Sequence, residues 1–419
     1  MLDDGGSEDR EMIGTSTHLL LAVFEGYAEL AIPARDLVSE RVPIRFDQKT
    51  LRFEAFFPPA SEVVEVLGPE RESILLLLRN VVLSEPSNTV QLSAEELQLY
   101  RSNALSEWPE SLGLTFSDND GEDGAPRRLE LAPQHQALKF QASQTISIEH
   151  PFQIYYGNAC PSLRSPTTLE HHSLPEKISF CSDFPQPGLL CAFSRDDFFV
   201  QEERIHAGLM LIHGRQLPPA LQIRGREVCF FGVKDMGKPS YLPLVDDWSS
   251  ALPDAIVKSL MDMEQTRFAS THLALKYFLA GKQADVWLEV RYMLLMTCLE
   301  AMDGARQLKE PNTAAMLGIS SDSALLFNCM RNQLVHGRGG YQQAFDAFLQ
   351  EDLKQRSLPA ELADCVSSGS GLDFSRLWLR LCERLDAFWC AYLGIPDELT
   401  GHRYSPIPLM GAVDKNSLP

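Results

Sequence analysis

The chain has 419 residues, 44% hydrophobic and 22% charged, which suits two or three soluble domains and excludes collagenous, globally disordered and disulfide-miniprotein classes. Its formal net charge is −20, from 37 Lys and Arg against 57 Asp and Glu, so no global basic footprint for nucleic acid is present. The charge is uneven: residues 251–419 carry 16 basic and 20 acidic side chains, a net of −4, which leaves −16 on residues 1–250.

In chain order, residues 1–16 (MLDDGGSEDREMIGTS) read as a disordered, acidic leader without the basic start and apolar core of a secretory signal. No apolar run reaches the roughly 18 to 20 residues that span a bilayer. The expectation is a cytoplasmic protein that does not enter membranes. Residues 17–250 are read as β-rich, as one domain or two subdomains. Short apolar runs recur there, some with period two, as in Leu51-Arg52-Phe53-Glu54-Ala55-Phe56, and Pro58-Pro59, Gly68-Pro69 and Pro218-Pro219 punctuate them. This pattern predicts an antiparallel sandwich or barrel. Within it, residues 93–106 are expected to be helical, with Ser93 as N-cap and Glu96 closing a capping box. Residues 117–124 (SDNDGEDG) read as a solvated acidic loop that lacks calcium-loop spacing.

After Trp248-Ser249-Ser250 the period changes. Helices are predicted over about 253–279, 285–302, 322–337, 341–353 and 373–392. The second is apolar on nearly every face, as expected of a central core helix. Residues 251–400 therefore read as an all-helical bundle, and residues 401–419 as a loose tail. The overall class is α+β and multidomain. The nine cysteines include no C-x-x-C pair, so zinc-ribbon spacing is missing and they read as small hydrophobes. His171-His172 and the pair His206/His213 lack an acidic or cysteine companion at ligand spacing and read as loop or strand histidines. No metal site is expected.

One segment carries chemistry: Arg331-Asn332-Gln333-Leu334-Val335-His336-Gly337-Arg338. The glycines at 337, 339 and 340 should stop the helix, so His336 sits in its last turn, where the helix dipole favours a protonated imidazole. Asn332 and His336 are four apart and share a face, so Asn332 could orient the ring. A cation and a titratable imidazole at an open helix end suit a phosphodiester: one binds phosphoryl oxygens, the other moves protons. The chain holds a second Arg-x4-His, Arg267 to His272, without the asparagine or the glycine stop, and that copy reads as a solvated helix face.

Two pieces resemble the HEPN superfamily, its Apea-like branch in particular. Glu289-Val290-Arg291-Tyr292-Met293-Leu294-Leu295-Met296-Thr297-Cys298-Leu299-Glu300-Ala301-Met302 resembles the family's first long helix, and Arg331 to Arg338 resembles its Arg-Asn-x-x-Val-His-Gly signature. The resemblance covers about residues 255–395. Residues 17–250 resemble only loosely the sensor modules joined to such domains in anti-phage proteins. The resemblance implies a HEPN helical bundle that acts as a metal-independent, cofactor-free endoribonuclease and works as a homodimer or higher homo-oligomer. His336 would be the general acid/base, Arg331 would stabilise phosphorane charge and Asn332 would be the polar residue beside it. Arg338 would touch RNA. Glu300, an acid within an apolar helix, wants a partner, with Arg331, His336 or Arg291 as candidates. The implied substrate is tRNA or another single-stranded loop, and the implied setting is abortive infection released by a phage-derived or cellular trigger. Some family toxins carry a tyrosine two residues after the histidine; here that position is Arg338 and the nearest tyrosine is Tyr341. The alternatives are a non-catalytic HEPN adaptor for RNA, nucleotide or protein, and a carbohydrate- or peptide-binding β-sandwich whose helices only dimerise it.

Overall fold

The computed structural model describes residues 19, 23–48, 51–57, 75–85, 90–100, 127–131, 137–157, 178–181, 188–231, 244, 251–283, 286–304, 308–336, 340–351, 360–365, 372–396 and 398–399. The leader, the acidic loop 117–124, His171-His172, residues 337–339 and the tail from 401 lie outside them. The chain divides into two compact units. One is Met1–Cys160, Lys177–Phe198 and Pro218–Asp235; the other is Pro161–Glu176, Phe199–Leu217 and Met236–Pro419. An antiparallel β-sheet region precedes a helical region, so the chain is α+β. No helix among the described residues is long and apolar enough to cross a membrane.

The first unit holds twelve described strands: β1 (Val23–Ile32), β2 (Leu37–Asp47), β3 (Arg52–Phe57), β4 (Leu75–Ser84), β5 (Gln91–Tyr100), β6 (Arg127–Leu131), β7 (Ala137–Ala142), β8 (Phe152–Gly157), β9 (Ile178–Cys181), β10 (Gly188–Phe193), β11 (Leu221–Arg224) and β12 (Glu227–Phe231). They form one sheet in the order β6-β3-β2-β1-β4-β5-β7-β12-β11-β8-β10-β9. Alternation drives it: in β7, Leu138, Phe140 and Ala142 are buried while Lys139 and Gln141 are exposed.

The sheet cannot be flat. Phe46 on β2 lies five strand steps from Phe230 on β12, about 24 Å apart in a plane, yet their ring centroids are 5.5 Å apart. Phe46 also meets Phe140 at 5.6 Å, and Phe24 meets Phe230 at 6.0 Å. All four rings are essentially fully buried. The sheet therefore curls until its wings share one aromatic core. A bulge assists: Tyr27 faces Val82 but Glu29 faces Arg79, so β4 holds one extra residue. Asn80 takes φ 51° there, and its Nδ2 donates to Glu29 Oε2 at 3.0 Å.

The helix expected from Ser93 is a strand over its described part. Residues 91–100 form β5, paired with β4 from Leu75↔Tyr100 to Ser84↔Gln91. The Ser93 hydroxyl donates to the Gln141 carbonyl on β7 instead of capping a helix. Long-range pairing on both sides outweighs a local capping signal.

The second unit's helices are α1 (Arg195–His213, whose first turn counts with the sheet unit), α2 (Leu252–Met261), α3 (Gln265–Lys282), α4 (Leu288–Asp303), α5 (Glu310–Leu317), α6 (Ser321–Val335), α7 (Tyr341–Glu351) and α8 (Phe374–Tyr392). Helix α1 falls in the stretch read as strand-like, and its start is a capping pair: the Ser194 hydroxyl donates to Asp197 and accepts from the Asp197 amide. The single helix expected over 253–279 is two. Arg204 from α1 fills the break, donating to the carbonyls of Leu260, Met261 and Met263 and to Gln265 Oε1, with Phe268 under its guanidinium. A buried cation thereby satisfies the orphan carbonyls at the α2 C-terminus.

Helices α3 and α4 approach closely at Gly281. A Cβ there would lie 2.6 Å from Leu295 Cδ2 and 2.9 Å from the Arg291 carbonyl oxygen. The Gly281 carbonyl also accepts from Trp378 Nε1 at 3.1 Å, and Arg291 stacks over the Trp378 ring at 3.9 Å. Buried Lys282 pairs with Asp386 at 2.6 Å, tying α3 to α8. Helix α4 is not buried all round: Trp287, its N-cap, is 79% exposed and Val290 38%. Gly281→Ala gains helix propensity of about 1 kcal/mol but pushes on a carbonyl that cannot move aside. The net expectation in chemical denaturation is a loss of roughly 1–2 kcal/mol; an unchanged midpoint would contradict the close approach.

Candidate functional site

Helix α6 starts at an N-cap, Ser320, whose hydroxyl accepts from the Ser323 amide at 3.2 Å. Two buried contacts fix it. Tyr292 on α4 donates its phenol proton to the Phe327 carbonyl at 3.0 Å. Thr313 on α5 donates to Asn328 Oδ1 at 3.0 Å, and Asn328 Nδ2 reaches the Leu308 carbonyl at 3.4 Å. The helix ends at Val335. His336 is its C-cap at φ −83°, with its amide donating to the Asn332 carbonyl at 3.1 Å. His336 and Val335 are exposed.

Three of the sequence-predicted residues meet. Arg331 NH2 contacts Glu300 Oε1 at 2.7 Å, and Arg331 NH1 donates to Asn332 Oδ1 at 3.1 Å. The side chains of Glu300 and Arg331 are 13% and 20% exposed, so the pair is open at one edge. Glu300's partner is thus Arg331, while Arg291 turns to Trp378 and the carbonyls of Gly281 and Lys282. Asn332 orients the guanidinium and not the imidazole, which corrects the expectation from its i to i+4 spacing. Among the described residues the His336 ring makes no hydrogen bond. Arg338 lies outside the described residues. Tyr341, at the start of α7, stacks on Phe374 at 5.0 Å, and Phe374 meets Tyr292 at 5.2 Å.

This arrangement offers a cation held by two neighbours and an exposed imidazole about one turn beyond it, at a helix C-terminus. The cation can bind a phosphoryl oxygen, and the imidazole can take or give a proton. Among the described residues no group of three or more His, Cys, Asp or Glu side chains could hold a metal ion.

No family model, no curated protein and no solved structure matches this chain.

The second Arg-x4-His copy is not a solvated face throughout. Arg267 is exposed and bonds Tyr392 through Nε to the phenol oxygen at 3.0 Å. His272, however, is buried on α3, with Nδ1 2.8 Å from Glu203 Oε1 on α1. His206 and His213 are helical residues of α1, not loop or strand residues. His206 Nε2 lies 2.8 Å from the Leu217 carbonyl. The sequence carried a signal for this helix in the spacing of Ile205, Leu209 and Ile212, all buried, after the Ser194–Asp197 cap.

Burial disfavours the charged form of these three histidines. It lowers His206, with His272 and Lys276 adding and the Leu217 carbonyl and Glu203 opposing, and it lowers His272, with Lys276 adding and Glu203 opposing. It pushes His213 down to about 3, with Arg215 adding. The unfolded chain would take up protons near pH 6.5, where the folded unit does not. The stability they contribute is complete above that pH and is lost as pH falls through 6.5 towards the lowered folded values. The thermal midpoint should therefore drop between pH 7.5 and pH 5. A midpoint flat over that window would contradict the buried, neutral state of these rings.

Proposed function

We propose that the chain is a HEPN-type endoribonuclease whose site is Arg331, Asn332 and His336. The observation that carries this reading is the meeting of its two sequence pieces: Glu300, from the first, grips Arg331, from the second, one turn from an exposed His336. In this reading the helical unit is a HEPN bundle. The RNA 2′-OH attacks its own phosphodiester. His336 moves protons on and off the reacting oxygens, and Arg331 stabilises charge on the phosphorane. The products are a 2′,3′-cyclic phosphate and a 5′-hydroxyl, and the chemistry needs no metal.

One imidazole cannot be base to the 2′-OH and acid to the leaving oxygen at the same instant. A homodimer that brings two copies of the motif to one cleft supplies both. The substrate is a single-stranded loop, tRNA or similar, in the cytoplasm of an infected cell. The acidic part, net −16 over residues 1–250, repels phosphates and restrains the nuclease until a phage-derived or cellular trigger arrives.

One observation favours the adaptor reading: Arg331 is already neutralised within its own protomer. On that reading the helical unit binds RNA, nucleotide or protein without cutting.

Purified full-length His336→Ala should cleave labelled RNA at least about a hundredfold more slowly, as removal of a general acid/base does. Arg331→Ala should lose about as much, as removal of a transition-state charge partner does. Cleavage at the wild-type rate by either folded variant would sink the nuclease reading.

A further inference from the structure

An arginine binds a phosphodiester best through two parallel N–H groups. In this chain two of the five guanidinium N–H donors of Arg331 are already engaged: NH2 faces Glu300 at 2.7 Å and NH1 faces Asn332 at 3.1 Å. The Glu300 pair is one of several ties on α6, since the Tyr292–Phe327 bond, also from α4, and the Thr313–Asn328–Leu308 chain hold that helix as well. The pair is not sealed from water, because both side chains keep an exposed edge. A carboxylate thus already holds one of the donors that a phosphate would use on this cation.

We propose that Glu300 is a built-in competitor for Arg331, so that a phosphodiester must share or displace this carboxylate to enter the site. The proposal rests on the nuclease reading above and adds a threshold to it. A charge-neutral pair draws anions weakly, so stray RNA bound to one phosphate is held poorly. A substrate that also engages other parts of the surface can open the pair, and only then does Arg331 present its full charge to the reacting phosphate. Asn332, an uncharged amide, holds the guanidinium in place during the exchange.

The test is binding of a fluorescent 2′-O-methyl RNA decamer, which cannot be cut, to the full chain at low salt. Glu300→Gln keeps the shape and a hydrogen-bonding oxygen but removes the charge. It should bind about three- to tenfold tighter than wild type, the size expected for one partly exposed charge, and the gain should shrink as salt rises. In an Arg331→Gln background the gain should vanish. Equal or weaker binding by folded Glu300→Gln overturns the proposal. If that variant does not fold, Glu300→Asp carries the comparison: it withdraws the charge by one methylene and should also tighten binding, and failure to do so overturns the proposal equally. Should wild type cut RNA through Arg331 and His336 while Glu300→Gln binds no tighter, only the competitor idea fails. If cleavage is independent of Arg331 and His336, the nuclease reading itself has failed.

Discussion

The ion pair between Glu300 and Arg331 is the contact on which the candidate site depends. It joins α4 to α6 across a half-open edge at 2.7 Å. Removing either partner would strand the other charge at a partly buried position, which costs more than the pair itself contributes. The pair also sets what a ligand meets. Arg331 is fixed and neutralised, and His336 stands beyond it at the helix end, exposed and without a partner among the described residues. Position and charge are therefore set by different neighbours: Tyr292, Thr313 and Asn328 hold the helix, and Glu300 and Asn332 hold the guanidinium.

The sheet unit obeys a different constraint. Its faces are unequal, and a flat sheet would leave one broad apolar face in water. The cluster of Phe24, Phe46, Phe140 and Phe230 removes that face by drawing distant strands together. The bulge at Asn80 and the close approach at Gly26, where a Cβ would collide with the Val82 carbonyl oxygen, let β1 and β4 bend as the curl requires.

Much of this was legible in the residues. Period-two alternation marked the β3 stretch, where Leu51, Phe53 and Ala55 are buried, and the change of period after Trp248-Ser249-Ser250 marked where α2 and the later helices begin. Two capping signals show where such reading stops. Ser93 and Glu96 look like a cap and lie in a strand; Ser194 and Asp197 form one and open a helix. Nothing local separates them. What decides is β4 on one side of Ser93 and the apolar run Ile205, Leu209, Ile212 behind Ser194. At the site, spacing placed Asn332 on the face of His336, but a charged donor one residue away outcompetes an exposed ring for its oxygen. The Glu203–His272 pair is beyond reach, since it needs two helices to meet and α1 lies in the stretch whose pattern predicts a β-rich region.

The most direct measurement maps new RNA 5′ ends in cells that express wild type or His336→Ala, with and without phage challenge. The account predicts 5′-hydroxyl ends, each matched by a cyclic phosphate upstream, that appear with wild type and not with the variant. Identical ends in the two strains, with both proteins folded and equally abundant, would contradict it.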